Sequence, residues 1–191
     1  MPLILQDYSI RYDKEENVLK SLCYVSNPAK TPNNYIGSLG CSLDTEQAAI
    51  DFADTRNIYS KTPKQFLRHF TISFHPEEMV TPEQAYYFAW NYASFFYPEY
   101  QCYFSVHETQ GSIHIHFIYN TVSRTTGRIF RYTHDTDEVS IYSAYLVSCC
   151  INSQCLFSDD QFQMIIKHTK NLQAKINYIN EKNAQRLQDF Y

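Results

Sequence analysis

The sequence predicts an α+β fold in which helices pack on an antiparallel sheet. Three observations carry that expectation. The stretches "YQCYFSVHE" and "SIHIHFIYNTV" both alternate in side-chain character and lie a few residues apart, so they pair antiparallel. A third alternating run, "RHFTISF", stands upstream. Between them, "TPEQAYYFAWNYASFFY" has the length and the capping residues of a helix.

In chain order, a first helix is expected from Asp13, with Glu16 in the reciprocal capping position and Val18, Leu19, Leu22 and Val25 at helical spacing. Pro28 ends it. "NPAKTPNNYIGSLGCSLD" reads as loop from its density of Pro, Asn and Gly. A second helix starts near Asp44 and runs through "TEQAAIDFADT". In "RHFTISF", Phe70, Ile72 and Phe74 point to one side, and His69, Thr71 and Ser73 to the other. The next helix has Thr81 as N-cap, Pro82 at its first position and Gln84 closing a capping box. A short strand, "GRIFR", follows the paired strands. The segment 138–191 reads as mostly helical, with one helix near 138–152 and a longer one opening at Ser158. No repeat or low-complexity linker divides the chain, so 1–191 is expected to be one domain.

Composition narrows the function classes. Seventeen Tyr and thirteen Phe against four Gly suit a packed core and argue against disorder or a fibrous repeat. No stretch approaches the roughly 20 apolar residues of a membrane span, and the N-terminus has no basic leader pattern. Six cysteines without a CxxC pair fit a reduced, cytoplasmic protein. The net charge of −4 is not that of an ordinary nucleic-acid binder. Two windows are nonetheless basic and free of acids: one contains Arg56, Lys61, Lys64 and Arg68, the other Arg124, Arg128 and Arg131. Either is an ordinary solvated loop or a set of phosphate contacts.

The histidines carry the chemistry. Gln101, Tyr103, Ser105 and His107 share one face of their strand, opposite Cys102, Phe104 and Val106. His114, His116, Ile118 and Asn120 share one face of the next, opposite Ile113, Ile115, Phe117 and Tyr119. The apolar faces have a core to cover, which leaves three histidines together on the other side of one hairpin, where facing residues lie roughly 5 Å apart. A lone HxH would read as a polar strand face. A third histidine in phase on the partner strand makes three imidazoles with an open fourth position, the donor set of a catalytic metal site. Imidazole alone leaves Zn, Mn, Fe, Co and Ni all compatible, and Mg would be helped by a carboxylate. Glu108 is not counted, because it points away or lies in the turn. His75, His134 and His168 have no phase partner and read as surface or loop residues.

"HETQGSIHIHFIYN" resembles the H-x(6)-H-x-H-x(3)-N signature of the relaxase/mobilisation nuclease family, the P class of plasmid relaxases within the HUH endonuclease superfamily. Upstream, "CYVSNPAKT" is similar to the family's first motif and "HFTISFHPEEMVTPEQA" to its second. The three ordered motifs span residues 23 to 120. The resemblance implies a five-stranded antiparallel sheet with the HxH on a central strand. It implies an enzyme that nicks single-stranded DNA at a transfer origin, linking the 5′ phosphate to a tyrosine for conjugative mobilisation. By position, Tyr24 would be the nucleophile, and His107, His114 and His116 would hold one divalent ion. Mn or Mg come first, with Zn, Co and Ni compatible. Ser73 and Asn120 would contact DNA or orient a ligand, and Glu78 falls on the second motif's Glu. Accessory DNA-binding and coupling proteins would be partners, no membrane would be involved, and the chain is expected to be a monomer.

The residues themselves add detail. On a helical wheel Tyr24 falls opposite Val18, Leu19, Leu22 and Val25, away from a core position. Tyr142 and Tyr145, on the later helix, are the alternative nucleophiles, as in a rolling-circle replication initiator. A non-cutting, metal-dependent DNA-binding module is the reading outside enzymology. A phenol needs a base at neutral pH, for which Glu78 or a bound water is the candidate. The phosphotyrosine keeps the bond energy, so no ATP is required. His69 and Ser73 would sit beside the metal if their strand neighbours the hairpin, with Arg68 and Lys64 at its margin. Lys30 and Thr31, in the loop after Tyr24, could hold a phosphate, and Tyr103 could stack on an unpaired base.

Overall fold

A computed structural model describes residues 11–74 and 76–130, the backbone of Leu3–Leu5, and Ser158 and Asp160. The strands are β1 (Leu3–Leu5), β2 (Ile36–Leu39), β3 (Leu67–Ser73), β4 (Tyr100–Thr109) and β5 (Ser112–Ser123). The helices are α1 (Glu15–Val25), α2 (Thr45–Ile58) and α3 (Pro82–Phe96). The strands form one sheet in the order β1-β3-β5-β4-β2, each neighbouring pair antiparallel. The expected α+β class holds, and the HxH lies on the central strand, β5.

Strict alternation gives the sheet two faces, and both are covered. On one side Phe70, Ile72, Phe104, Ile115, Phe117 and Tyr119 meet Ala85, Phe88, Ala89, Tyr92 and Ala93 of α3. Small residues at 85, 89 and 93 let α3 approach closely. Phe70 stacks on Phe117, with ring centroids 5.1 Å apart. Losing a buried ring such as Phe117 removes about 3–5 kcal/mol of stability. On the other side Leu67, Tyr103 and Ile118 pack beneath Val18, Leu22 and Val25 of α1 and Ala48 and Phe52 of α2. The face expected to be left polar is therefore a second core along most of its length, and the histidines occupy one end of it.

Of the two capping expectations that fall on described helices, the one at α3 holds and the one at α1 does not. Thr81 and Gln84 form the full capping box of α3, with Pro82 at its first position. Asp44 caps α2 by accepting from the Gln47 amide at 2.9 Å. At α1 the expectation is corrected: Lys14 is the N-cap, and no side chain caps it. Tyr12 is held against the entry to β3, its N–H donating to Gln65 Oε1 and its carbonyl accepting from Phe66 N–H, both at 2.6 Å. That contact keeps the chain extended beyond Asp13, so the helix begins one residue too late for an Asp13 cap.

The segment expected to be loop contains a 3-10 turn (Pro32–Asn34) and β2. Gly37 of β2 stands opposite Phe104, and a Cβ there would lie 2.2 Å from the Phe104 ring. The glycine that reads as a turn signal is thus a gap that admits an aromatic ring from the neighbouring strand. "GRIFR" is corrected in the other direction: among its described residues, 127–130, the pairing is an isolated bridge between Ile129 and Val122. Gly127, at φ +66°, folds the chain back, and Phe130 then settles 4.9 Å from both Tyr97 and Tyr100 by ring centroids. The helices expected near 138–152 and from Ser158 fall outside the described residues, apart from Ser158 and Asp160. So do His75, His134, His168, Arg131, Tyr142, Tyr145, Cys149, Cys150 and Cys155.

Candidate metal centre and nuclease site

Register brings the three histidines together. His107 of β4 stands opposite His114 of β5, and His116 lies between Ser105 of β4 and Thr71 of β3. Each histidine offers a ring nitrogen, and the three nitrogens lie within 4.8 Å of one another. No carboxylate joins the group among the described residues. Ring centroids are 4.4 Å apart for His107 and His116, 5.2 Å for His114 and His116, and 5.5 Å for His107 and His114.

Each of the three rings already makes a hydrogen bond, that of His114 with the Ser112 backbone. His107 is 1% exposed, and its Nε2 donates to the Val25 carbonyl at 2.7 Å. That carbonyl belongs to the last turn of α1, where helix geometry leaves the acceptor without an intrahelical donor. The bond fixes the His107 tautomer and leaves Nδ1 as the lone-pair nitrogen. His116 has its Nδ1 2.9 Å from His69 Nε2 and 3.1 Å from Thr71 Oγ1. Its Nε2 is buried and has no hydrogen-bond partner. A buried polar atom in that state is costly unless something binds it, and a metal ion held by the three histidines would do so.

Electrostatics agree with a ligand role. Burial first, then the neighbouring His69, His107 and His114 and the Lys30 charge, push His116 down to about 2. Burial also lowers His107, opposed by the Val25 bond and helped by Lys30. His114 is lowered by burial, by His107 and by Lys30, against a Ser112 backbone bond. Three imidazoles favoured in the neutral form, with a nitrogen of each within 4.8 Å of the others, suit a divalent cation. The residues fit a metal.

Tyr24 stands at the rim. It is 48% exposed, with its ring centroid 5.7 Å from that of His116 and 6.1 Å from that of His107. Lys30 Nζ lies 4.4 Å over the Tyr24 ring. The loop after α1 is placed by β4, whose Val106 and Glu108 amides donate to the Tyr35 and Lys30 carbonyls. Asn33 and Asn34, at φ 47° and 55°, turn the chain between those two anchors, a conformation Asn tolerates. Thr31 is buried and donates to the Asn27 carbonyl at 3.0 Å, which braces the loop from within.

The other expected site residues divide. His69 reaches His116, and Ser73 pairs with His114 in register. Glu78 is buried in a 3-10 turn (Pro76–Glu78) before α3 and is not part of the histidine group. Asn120 is fully buried, donating to the Phe52 carbonyl and to Gln101 Oε1 and accepting from Arg56 Nη1. It lies four residues beyond His116, about 13 Å along the strand. Arg68 faces the α3 side, its guanidinium 5.2 Å from the Phe70 ring and 5.1 Å from the Phe130 ring. Lys64 is exposed in the loop before β3, at the end away from Ser73. Arg124 and Arg128 are exposed past the far end of β5, with Arg124 about 27 Å along the strand direction from His116. Arg56 is 3% exposed and pairs with Glu15. Tyr103 is 1% exposed and donates to the Leu43 carbonyl, so it offers no face for a base. Of the described cations expected to meet phosphate, Lys30 stands over the Tyr24 ring at the rim of the histidine group.

Sequence reasoning did not identify Tyr12, whose hydroxyl lies 3.3 Å from His69 Nδ1. No periodicity could have found it, because the contact joins residues 57 apart in the chain.

A tyrosine at the rim of three imidazoles, two of them on the central strand of an antiparallel sheet, is the arrangement of an HUH-type relaxase domain. The relaxase family model described as MobA/VirD2-like, nuclease domain, matches residues 24–146, and the chain belongs to that family. No curated protein and no solved structure gives a match. Among the described residues no helix is long and apolar enough to cross a membrane.

Proposed function

We propose that this domain nicks single-stranded DNA at a transfer origin, with Tyr24 as nucleophile and a divalent ion held by His107, His114 and His116. The observation that carries the reading is the placement of a half-exposed Tyr24 beside the histidine group with Lys30 over its ring. Tyr24 Oη attacks the scissile phosphorus, the bond to the 3′ oxygen breaks, and the departing 3′ oxygen takes a proton from water to leave as a 3′ hydroxyl. The phenolic proton passes to water at the exposed rim, since Glu78 is buried apart from the histidine group. A bound divalent ion supplies Lewis-acid charge to the non-bridging oxygens. Lys30 adds a second positive charge on the same phosphate. The phosphotyrosine conserves the bond energy, so resealing by the 3′ hydroxyl needs no ATP.

An all-nitrogen donor set among the described residues favours borderline ions over Mg²⁺, which prefers oxygen. Mn²⁺ is proposed on the family resemblance, whereas the three imidazoles by themselves rank Zn²⁺, Co²⁺ and Ni²⁺ above it. With a net charge of −4 and most of the singled-out cations away from the histidines, affinity depends on few phosphate contacts and is sequence-dependent rather than general.

The test is a covalent-adduct assay with Mn²⁺ and single-stranded oligonucleotides tiled across the DNA flanking the gene. The expected result is a metal-dependent protein–DNA band, absent in Tyr24→Phe. An adduct that survives in Tyr24→Phe moves the chemistry to Tyr142 or Tyr145 and to a replication-initiator reading. Binding of metal and DNA without an adduct replaces the nuclease by a non-cutting module.

A further inference from the structure

Behind His116 lies a row of polar groups that leads away from the proposed metal position. His116 Nε2 is the buried nitrogen without a hydrogen-bond partner, so it is the atom available to an ion, and the proton of the neutral ring then sits on Nδ1. Nδ1 faces His69 Nε2 at 2.9 Å. His69 must accept there, which puts its own proton on Nδ1, facing Tyr12 Oη at 3.3 Å. One consistent set of tautomers gives every ring nitrogen in the row a hydrogen-bond partner except His116 Nε2, which is left for the ion. Tyr12 is buried to 7% exposure and pinned through its backbone to Gln65 and Phe66, so its hydroxyl is a fixed point.

We infer that His69 and Tyr12 are positioning residues that fix the tautomer and ring orientation of His116 for the ion. Metal-bound histidines elsewhere rest their second nitrogen on a carboxylate, a carbonyl or water, and removing that partner weakens metal affinity. Here a neutral imidazole takes the place, backed by a phenol. Thr71 Oγ1, 3.1 Å from the same Nδ1, steadies the ring from β3 but lies to the side of the row. The inference rests on the metal-centre reading above and adds two residues to it, one of them outside the three sequence motifs.

The test uses Co²⁺ as probe, with calorimetric titration and visible absorption, on the wild type, His69→Leu, His69→Gln and Tyr12→Phe. Thermal melts in chelator verify that each variant is folded. His69→Leu is expected to bind Co²⁺ about 10- to 100-fold more weakly. His69→Gln, whose amide oxygen can still accept from Nδ1, is expected to recover most of that loss. Tyr12→Phe should give a smaller loss and an altered absorption band. Equal affinity in wild type and a folded His69→Leu overturns the inference, as does a Gln variant no better than Leu. If Leu does not fold, unchanged affinity in both Gln and Tyr12→Phe overturns it. A wild type that binds no Co²⁺ removes the metal centre itself, a distinct outcome from equal binding.

Discussion

His107 Nε2 donates to the Val25 carbonyl at 2.7 Å, so a candidate metal ligand on β4 also closes the C-terminal turn of α1. His114, opposite it on β5, is only partly buried and has no such structural duty to a helix. Alanine at either position should abolish tight metal binding. In chelator the two should differ. His107→Ala leaves a buried carbonyl without its donor and should lose about 1–3 kcal/mol of unfolding free energy, while His114→Ala should lose less. Urea unfolding with EDTA present checks this, and equal losses would show that the Val25 bond contributes nothing.

The signature asparagine is expected to act on stability. Asn120 joins β5 to α2 through the Phe52 carbonyl and to Arg56, whose guanidinium continues to Glu15 of α1. Asn120→Ala should cost about 1–3 kcal/mol by leaving buried groups unpaired. Well below the melting temperature, its Mn²⁺ and oligonucleotide affinities should equal those of the wild type. A stable Asn120→Ala protein that has lost DNA binding would refute the structural role.

Cysteine reactivity provides a probe beside Tyr24, the proposed nucleophile. Cys23, next to Tyr24, is exposed, whereas Cys102 is buried and Cys41 is half-buried with its thiol pushed up to about 12 by burial and by Asp51. Iodoacetamide at pH 8 should modify Cys23 well before Cys41 or Cys102, as followed by peptide mass spectrometry. Bound origin oligonucleotide should slow Cys23 labelling. Labelling of Cys41 at a comparable rate would mean that β2 opens readily from β4.

Alkaline stability should carry the mark of Tyr103. Burial pushes its phenol up to about 12, with Cys41, Asp44 and Cys23 adding to the rise and a Ser26 bond opposing it. The unfolded value is about 10, so the native state holds the proton more tightly. That contribution is fully present below pH 10 and is lost as pH rises from 10 towards 12. Cys41 and Cys102, both raised by burial, add a decline that begins lower, near the free-thiol value of about 8.5. Tyr100 and Tyr119, also raised by burial, share the fall above about pH 10. In Tyr103→Phe the fall above pH 10 should flatten while the earlier one persists. Unfolding free energies measured from pH 8 to 11.5 separate the two, and an unchanged slope would exclude Tyr103.

Strand phase was readable from local sequence because alternation fixes which way each side chain points, whatever the strand packs against. That is why His107, His114 and His116 could be grouped without a structure, and why Thr81, Pro82 and Gln84 announced α3. What covers a face is a different matter. Gln101, Tyr103 and Asn120 share the histidines' side of the sheet, yet α1 and α2 bury them, because Leu67, Tyr103 and Ile118 supply apolar area there. The same packing draws Arg56 inside to Glu15 and Asn120, so a basic window in sequence is no basic surface in space.

Tertiary pairing decided the rest. β2 exists because β4 offers it an edge and Gly37 leaves room for Phe104, neither of which the residues of β2 encode alone. Lys30 reaches Tyr24 because Glu108 captures its carbonyl, and His69 reaches His116 because β3 lies beside β5 in that register. The sequence by itself determined the direction of each side chain, since that depends on backbone geometry repeating every two residues. Only the tertiary structure decided each side chain's partner, since a contact joining residues tens of positions apart depends on how whole elements bury their apolar faces against one another.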